Sequence, residues 1–329
     1  MISNHNKANN AQNFDYIIIG SGSAGSALTY RLGENKEHKI LVLEYGGSDS
    51  GPFIQMPAAL SYPMNMPRYD WGYKAEPEDS LNGRALVCPR GKVIGGSSSI
   101  NGMIYVRGNA GDYDHWQDAG AHGWSYADVL PYFRRMETSH GGEAPWRGTD
   151  GPLHITRGPR DNPLHDAFVS ATNQAGYTTT SDYNGGRQEG FGPADMTVYK
   201  GRRWSSANAY LKPAMKRGNV TLMTGALVER LLFDGTRCIG VRFWHKGKQQ
   251  DILAGKDIIL SAGAIGSPAI LQRSGIGPAK LLRSHGIDVI ADRAGVGANL
   301  QDHLEVYFQI ACTQPITLYK HLNLSLIHI

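Results

Sequence analysis

Between Phe14 and Glu44 the chain reads as strand, glycine turn, helix and second strand, and this unit limits the possible folds more than any other stretch. Phe14-Asp15-Tyr16-Ile17-Ile18-Ile19 is a short, β-branched run without polar alternation, the pattern of a parallel strand buried on both faces. Ser23 to Leu32 carries Ala24, Ala27, Leu28 and Leu32 at helical spacing, and Ile40-Leu41-Val42-Leu43 is a second buried strand that closes on Glu44. The whole is a βαβ unit, for which a right-handed crossover is expected.

The turn inside that unit is Gly20-Ser21-Gly22-Ser23-Ala24-Gly25, a G-x-G-x-x-G string. Such a string is weak by itself, but here it follows a strand and opens a helix. Glu44 stands 19 residues beyond Gly25, where an acid meets ribose hydroxyls. Gly20 is expected to make the tight turn and Gly22 to let backbone amides approach a pyrophosphate. Gly25 should let the helix pack closely on the strand, while Ser23 and Ala24 open the helix whose N-terminus attracts phosphate. An acid at Glu44 disfavours a 2′-phosphate and so NADP. FAD and NAD both satisfy this much.

A second glycine cluster separates them. Arg90-Gly91-Lys92-Val93-Ile94-Gly95-Gly96-Ser97-Ser98-Ser99-Ile100-Asn101-Gly102-Met103 is a run that a simple nicotinamide dehydrogenase does not need. Small residues allow backbone to lie against something flat or anionic. Val93, Ile94, Ile100, Met103 and Ile104 require burial, which argues against a flexible linker.

This cluster, continued by Tyr105, Gly108 and Asp114, resembles the first signature of the glucose-methanol-choline flavin oxidoreductases. Gly263-Ala264-Ile265-Gly266-Ser267-Pro268, with Ser274-Gly275-Ile276-Gly277, resembles the second. Glu44-Tyr45-Gly46-Gly47 and Asn299-Leu300-Gln301-Asp302-His303 also fit, so the resemblance runs from about Phe14 to Tyr319. Ser99 to Asn109 and Gln188-Glu189-Gly190-Phe191-Gly192-Pro193 are most similar to the choline-oxidising branch.

The resemblance implies an α/β protein: a Rossmann-like FAD-binding domain with a discontinuous, incomplete substrate-binding lobe. The expected division is a tail over 1–13, the first part of the FAD domain over 14–158 with a covering lid at 45–89, and a substrate-lobe excursion over 159–204. The second part of the FAD domain follows over 205–305, and 306–329 begins the substrate domain. The implied activity is oxidation of a primary alcohol, choline to betaine aldehyde in glycine betaine synthesis, with hydride passing to flavin N5. Another primary alcohol, a nicotinamide-dependent dehydrogenase, or a non-catalytic FAD-binding fragment are the alternatives. Gly20, Gly22, Gly25 and Glu44 would hold the ADP half of FAD, and Val228 would meet adenine through its backbone. Val93 and Asn101, Gly102, Met103 and Ile104 would lie against the isoalloxazine and its phosphate side. Gly95, Gly96, Ser97 and Gly263 complete the cofactor set. Glu305, two residues after His303, matches the acid that faces the substrate cation in choline-oxidising members.

Two departures qualify the resemblance. The family's catalytic His lies beyond Ile329 and no His here matches it, so the chain reads as an inactive N-terminal portion. Relatives that tether FAD covalently do so through a His one residue before the Asn. Ile100 stands there, so the flavin is expected to be held non-covalently.

Composition sets the remaining bounds. A net charge of +4 without a basic cluster gives no nucleic-acid footprint. Cys88, Cys238 and Cys312 are far apart, odd in number and without CxxC, which points to a reducing, cytoplasmic setting. Neither HxxxH nor HExxH occurs, so no metal is expected. No run of 18 apolar residues is present, so no transmembrane segment is expected. Peripheral membrane contact stays open, as does the electron acceptor, a membrane quinone or oxygen.

Overall fold

The computed structural model describes residues 14–158, 161–303 and 307–317. These fall into two units. The first contains 14–50, 63–100 and 206–303; the second contains 51–62, 101–158, 161–205 and 307–317. The chain therefore passes between them within the expected lid, at Ser50/Gly51 and Tyr62/Pro63, and again at Ile100/Asn101 and Ser205/Ser206.

The first unit is built on a six-stranded sheet. Its elements are β1 (Phe14–Ile19), α1 (Ser23–Leu32), β2 (Ile40–Leu43), β3 (Val220–Met223), β4 (Leu227–Asp234), β5 (Arg237–His245), β6 (Lys248–Leu260) and α2 (Gly263–Arg273). The strand order is β3-β2-β1-β6-β5-β4. β3, β2, β1 and the end of β6 run parallel, with Ile18 between Val42 and Ile259. β4, β5 and the start of β6 form an antiparallel meander. Side chains alternate between two buried layers, which is why the parallel strands read as unbroken apolar runs. Ile17, Ile19, Leu41 and Leu43 face one layer with Phe243 and Ile270. Ile18, Ile40 and Val42 face the other with Ile94, Ala207 and Leu211.

The second unit contains a three-stranded sheet of Glu137–Ser139, Leu153–Arg157 and Asp195–Met196, and three longer helices. Helices Ala110–Asp118 and Tyr126–Met136 each begin with a capping box, Asn109 with Asp112 and Ser125 with Asp128. Asp114 accepts the backbone N–H of Tyr126. Asp112 and Asp114, which flank Tyr113 in sequence, therefore both serve at helix starts. Three strand residues, Glu137, Arg157 and Asp195, join Arg107, Arg147 and Asp182 in a charge-balanced cluster. Arg147 sits at its centre, 2.7 Å from Glu137 and from Asp182 and 2.8 Å from Asp195.

By sequence pattern alone 139–158 reads as loop, Asp257–Leu260 as a strand, Pro268–Gln272 as the start of a helix and Val306–Ala311 as a strand, and the structure corrects each. The segment 139–158 is not all loop, because Leu153–Arg157 is a strand paired on both sides. β6 begins at Lys248, not Asp257, since its polar first half pairs with β5. α2 begins at Gly263 and accommodates Pro268 within the helix. A strand over Val306–Ala311 is not present: Tyr307–Ala311 is irregular, and Val306 lies outside the described residues.

Candidate cofactor cleft

Three chain turns leave the carboxyl ends of β1, β2 and β6 side by side: Gly20–Gly22, Glu44–Tyr45 and Ser261–Gly263. In a parallel sheet whose strand order diverges about β1, this is where ligands bind. A cleft of about 630 Å³ opens there, inside the range of about 300–1,000 Å³ typical of small-molecule sites. Gly20, Gly22, Ser23, Ala24, Glu44, Gly96, Ser97, Val228 and Gly263 all line it.

Among the described residues Glu44 is the only acid on its wall, and it is 6% exposed. Its Oε2 accepts from the backbone N–H and hydroxyl of Ser21, both at 2.9 Å, and its Oε1 from the N–H of Gly46 at 2.7 Å. Burial raises its pKa above the ordinary value, and these hydrogen bonds pull the other way. A carboxylate offers about four lone-pair sites. Room therefore remains for hydroxyl donors.

The glycine turn has the close packing its sequence implies. A Cβ on Gly25 would stand 1.9 Å from the carbonyl oxygen of Gly20, so only glycine lets α1 rest on the turn. α1 and α2 both start at the cleft, and neither has an acid in its first turn. Two uncompensated helix N-termini favour a polyanion between them. A Cβ on Gly263 would meet nothing within 4 Å, so the α2 start faces open space. A dinucleotide with a pyrophosphate between ribose and flavin halves fits this donor set.

The second glycine cluster reaches the cleft through Arg90, Gly91, Gly96 and Ser97. Val93 and Gly95 lie beneath them, buried; Val93 forms a bridge with Gly47, and the Gly95 N–H donates to Ser21 O at 2.9 Å. Ile100 is 1% exposed. Asn101, Gly102, Met103 and Ile104 belong to the second unit. There the guanidinium of the fully buried Arg203 donates to the Asn101 carbonyl at 2.6 Å and to its Oδ1 at 2.9 Å. Asn101 Oδ1 also accepts the N–H of Met103, which holds φ 64°. Burial draws the Arg203 pKa down to about 10. Glu305 lies outside the described residues.

Sequence reasoning missed the aromatic and cationic rim of the cleft. Tyr45 and Tyr73 both stack with Trp71, with ring centroids 5.1 and 5.9 Å away, and Arg90 and Arg273 also line the cleft. Tyr45 directly follows Glu44 and Arg90 heads the second glycine cluster, and these were the available signals. Trp71 and Tyr73 come from the irregular 45–89 segment, where no period marks them.

Comparison with known proteins agrees with this geometry. Residues 14–305 match the family model for GMC oxidoreductases. The chain is 61% identical over 310 residues to an oxygen-dependent choline dehydrogenase of Brucella anthropi, covering 94% of this chain and 56% of that protein. A Rhizobium etli protein of the same description is 60% identical over 308 residues, with the same coverage. The chain thus spans about half the length of the curated relatives it matches. Pyridoxine 4-oxidase from Mesorbium loti superposes with a TM-score of 0.81 at 35% identity, over 85% of this chain and 55% of that one. An Aspergillus oryzae formate oxidase, studied for its FAD modification, gives 0.80 at 29% identity, over 87% and 51%. Fold, glycine signatures and relatives agree: the chain belongs to the GMC oxidoreductase family, whose cofactor is FAD.

Proposed function

We propose that this chain is the cofactor-binding portion of an enzyme that oxidises a primary alcohol, choline to betaine aldehyde. The single observation that carries the reading is the cleft, with Glu44 on its wall and two helix N-termini opening into it. The names of the Brucella and Rhizobium relatives support choline as the alcohol.

FAD, when bound, supplies the acceptor for the hydride that leaves the carbinol carbon. In this reading Glu44 accepts the ribose hydroxyls, and the turns at Gly20–Gly25 and Gly95–Ser97 take the pyrophosphate. Val228 offers its backbone to adenine. Val93 and Asn101 to Ile104 are assigned to the isoalloxazine side by their place in the first signature. Ile100 has no nucleophile, which supports a non-covalent flavin. The hydroxyl proton needs a general base. Among the described residues no His lines the cleft, so this reading leaves the proton to a base that they do not supply there. Oxygen, rather than a membrane quinone, is the acceptor that the relatives' names favour. Among the described residues no helix is long and apolar enough to cross a membrane.

Titration of the 329-residue chain with FAD tests the reading. Binding should quench flavin fluorescence, and FAD at about 100 times Kd should add about 2.7 kcal/mol of stability. Binding of NAD in place of FAD would overturn it. For the substrate, Glu305→Gln in a chain extended to the length of the relatives should raise KM for choline far more than for 3,3-dimethylbutanol, which lacks the charge. Equal loss for the two alcohols would return Glu305 to a structural role.

A further inference from the structure

Two serines 108 residues apart meet behind the cleft. Ser98 Oγ lies 2.9 Å from Ser206 Oγ and accepts the backbone N–H of Ser206 at 2.9 Å. Both hydroxyls reach the carbonyl oxygen of Gly95, Ser98 at 2.6 Å and Ser206 at 3.1 Å. The other side of Gly95 is held as firmly, because its N–H donates to Ser21 O at 2.9 Å. Ser21 in turn holds Glu44 Oε2. An unbroken path of hydrogen bonds therefore runs from Ser206 through Ser98, Gly95 and Ser21 to Glu44.

Neither Ser98 nor Ser206 lines the cleft, whereas Gly96, Ser97 and Glu44 do. Gly95 has φ +86°, and a Cβ there would stand 2.4 Å from Ser99 Oγ. No side chain at Gly95 could do the holding, so the grip must come from outside. The peptide plane is rigid. Fixing the Gly95 carbonyl therefore fixes where Gly96 stands against Gly22, the wall on which the two glycine loops meet. Ser206 also precedes a widened helical turn, Ala207–Leu211, which packs on α1. The clasp thus ties the second glycine cluster to the helix that opens the dinucleotide turn.

We propose that Ser98 and Ser206 are positioning residues for cofactor binding: their paired hydroxyls clamp the Gly95 carbonyl and so set the Gly22–Gly96 wall that receives the pyrophosphate. The inference rests on the reading of this cleft as the FAD site. It goes further in assigning a role to two residues that do not line the cleft.

The experiment compares three ligands, FAD, ADP and adenosine, on the wild-type chain and on Ser98→Ala, Ser206→Ala, the double variant and Ser98→Thr. Loss of one neutral hydrogen bond is expected to weaken FAD and ADP about five- to tenfold. The double variant should lose little more than either single one, because the two hydroxyls share one acceptor. Adenosine, which has no pyrophosphate, should bind all variants alike, and Ser98→Thr should bind FAD as the wild type does. Equal weakening of all three ligands would mean a general packing defect and overturn the proposal, as would unchanged FAD affinity in both alanine variants. Wild-type chain that binds none of the three would instead overturn the reading of the cleft.

Discussion

Gly22 and Gly96, from two glycine clusters 74 residues apart, pack backbone to backbone: a Cβ on Gly96 would stand 2.7 Å from the Cα of Gly22. The contact leaves no room for a side chain on Gly96, which also holds φ +54°. Gly96→Ala should therefore destabilise the cofactor-free protein by about 1–3 kcal/mol. It should also weaken FAD binding, because the displaced wall is part of the cleft. Thermal unfolding with and without FAD measures both effects; an unchanged midpoint would mean that the two loops can separate at no cost.

Much of this site could be read from the sequence because its elements are local. β1, the glycine turn, α1 and β2 follow one another within 31 residues, and each carries its own periodicity. The missed elements lack that. Lys248 to Asp251 is polar and mostly exposed, so only its pairing with β5 reveals a strand there. Ala110–Asp118 has no buried residue and no apolar stripe, and its capping box defines it. The Arg147 cluster draws its six charges from positions 107 to 195, a convergence that no spacing rule announces.

That cluster yields the second prediction. Arg147 contacts all three buried acids, and its charge is stabilised although burial alone opposes it. Arg147→Met would leave Glu137, Asp182 and Asp195 without their central cation. Breaking a buried pair by removing one partner costs about 3–5 kcal/mol. Chemical denaturation should show that loss, with near-normal stability speaking for repair by Arg107 and Arg157.

Acid stability should report the same cluster. Burial by itself would raise the Asp195 carboxyl, but hydrogen bonds from Arg157, Arg147 and Asn184 outweigh it and hold the pKa below its ordinary 3.8. A carboxyl depressed on folding contributes stability above its unfolded value, and that contribution disappears as pH falls through the folded value. Stability should drop below about pH 3.8 with a slope that Asp195→Asn makes shallower. Urea unfolding between acid and neutral pH tests the slope; equal slopes would remove Asp195 from the account.

The flavin should leave the protein on denaturation. Ile100 is buried at 1% exposure and has no nucleophile, in the position where tethered relatives carry a His. Acid precipitation of the FAD complex should leave yellow flavin in the supernatant and a colourless pellet. Flavin absorbance that stays with the precipitate would show a covalent link through some other residue.

Glu44 should make FAD affinity depend on pH, with the opposite sign to Asp195. Burial raises its pKa above the ordinary 4.5, so the empty cleft favours the neutral acid over a wider range than water does. For the cofactor-free protein this charge costs stability as pH rises from 4.5 through the raised folded value. Ribose hydroxyls donate to the ionised form, so binding FAD should release a proton in that same window. Affinity is therefore expected to climb with pH from about 4.5 and level off once the carboxylate is fully formed. Glu44→Gln should bind FAD more weakly at neutral pH and lose the slope, because an amide does not titrate and turns one N–H group toward the Gly46 donor. A slope that survives in Glu44→Gln would assign the proton to another group.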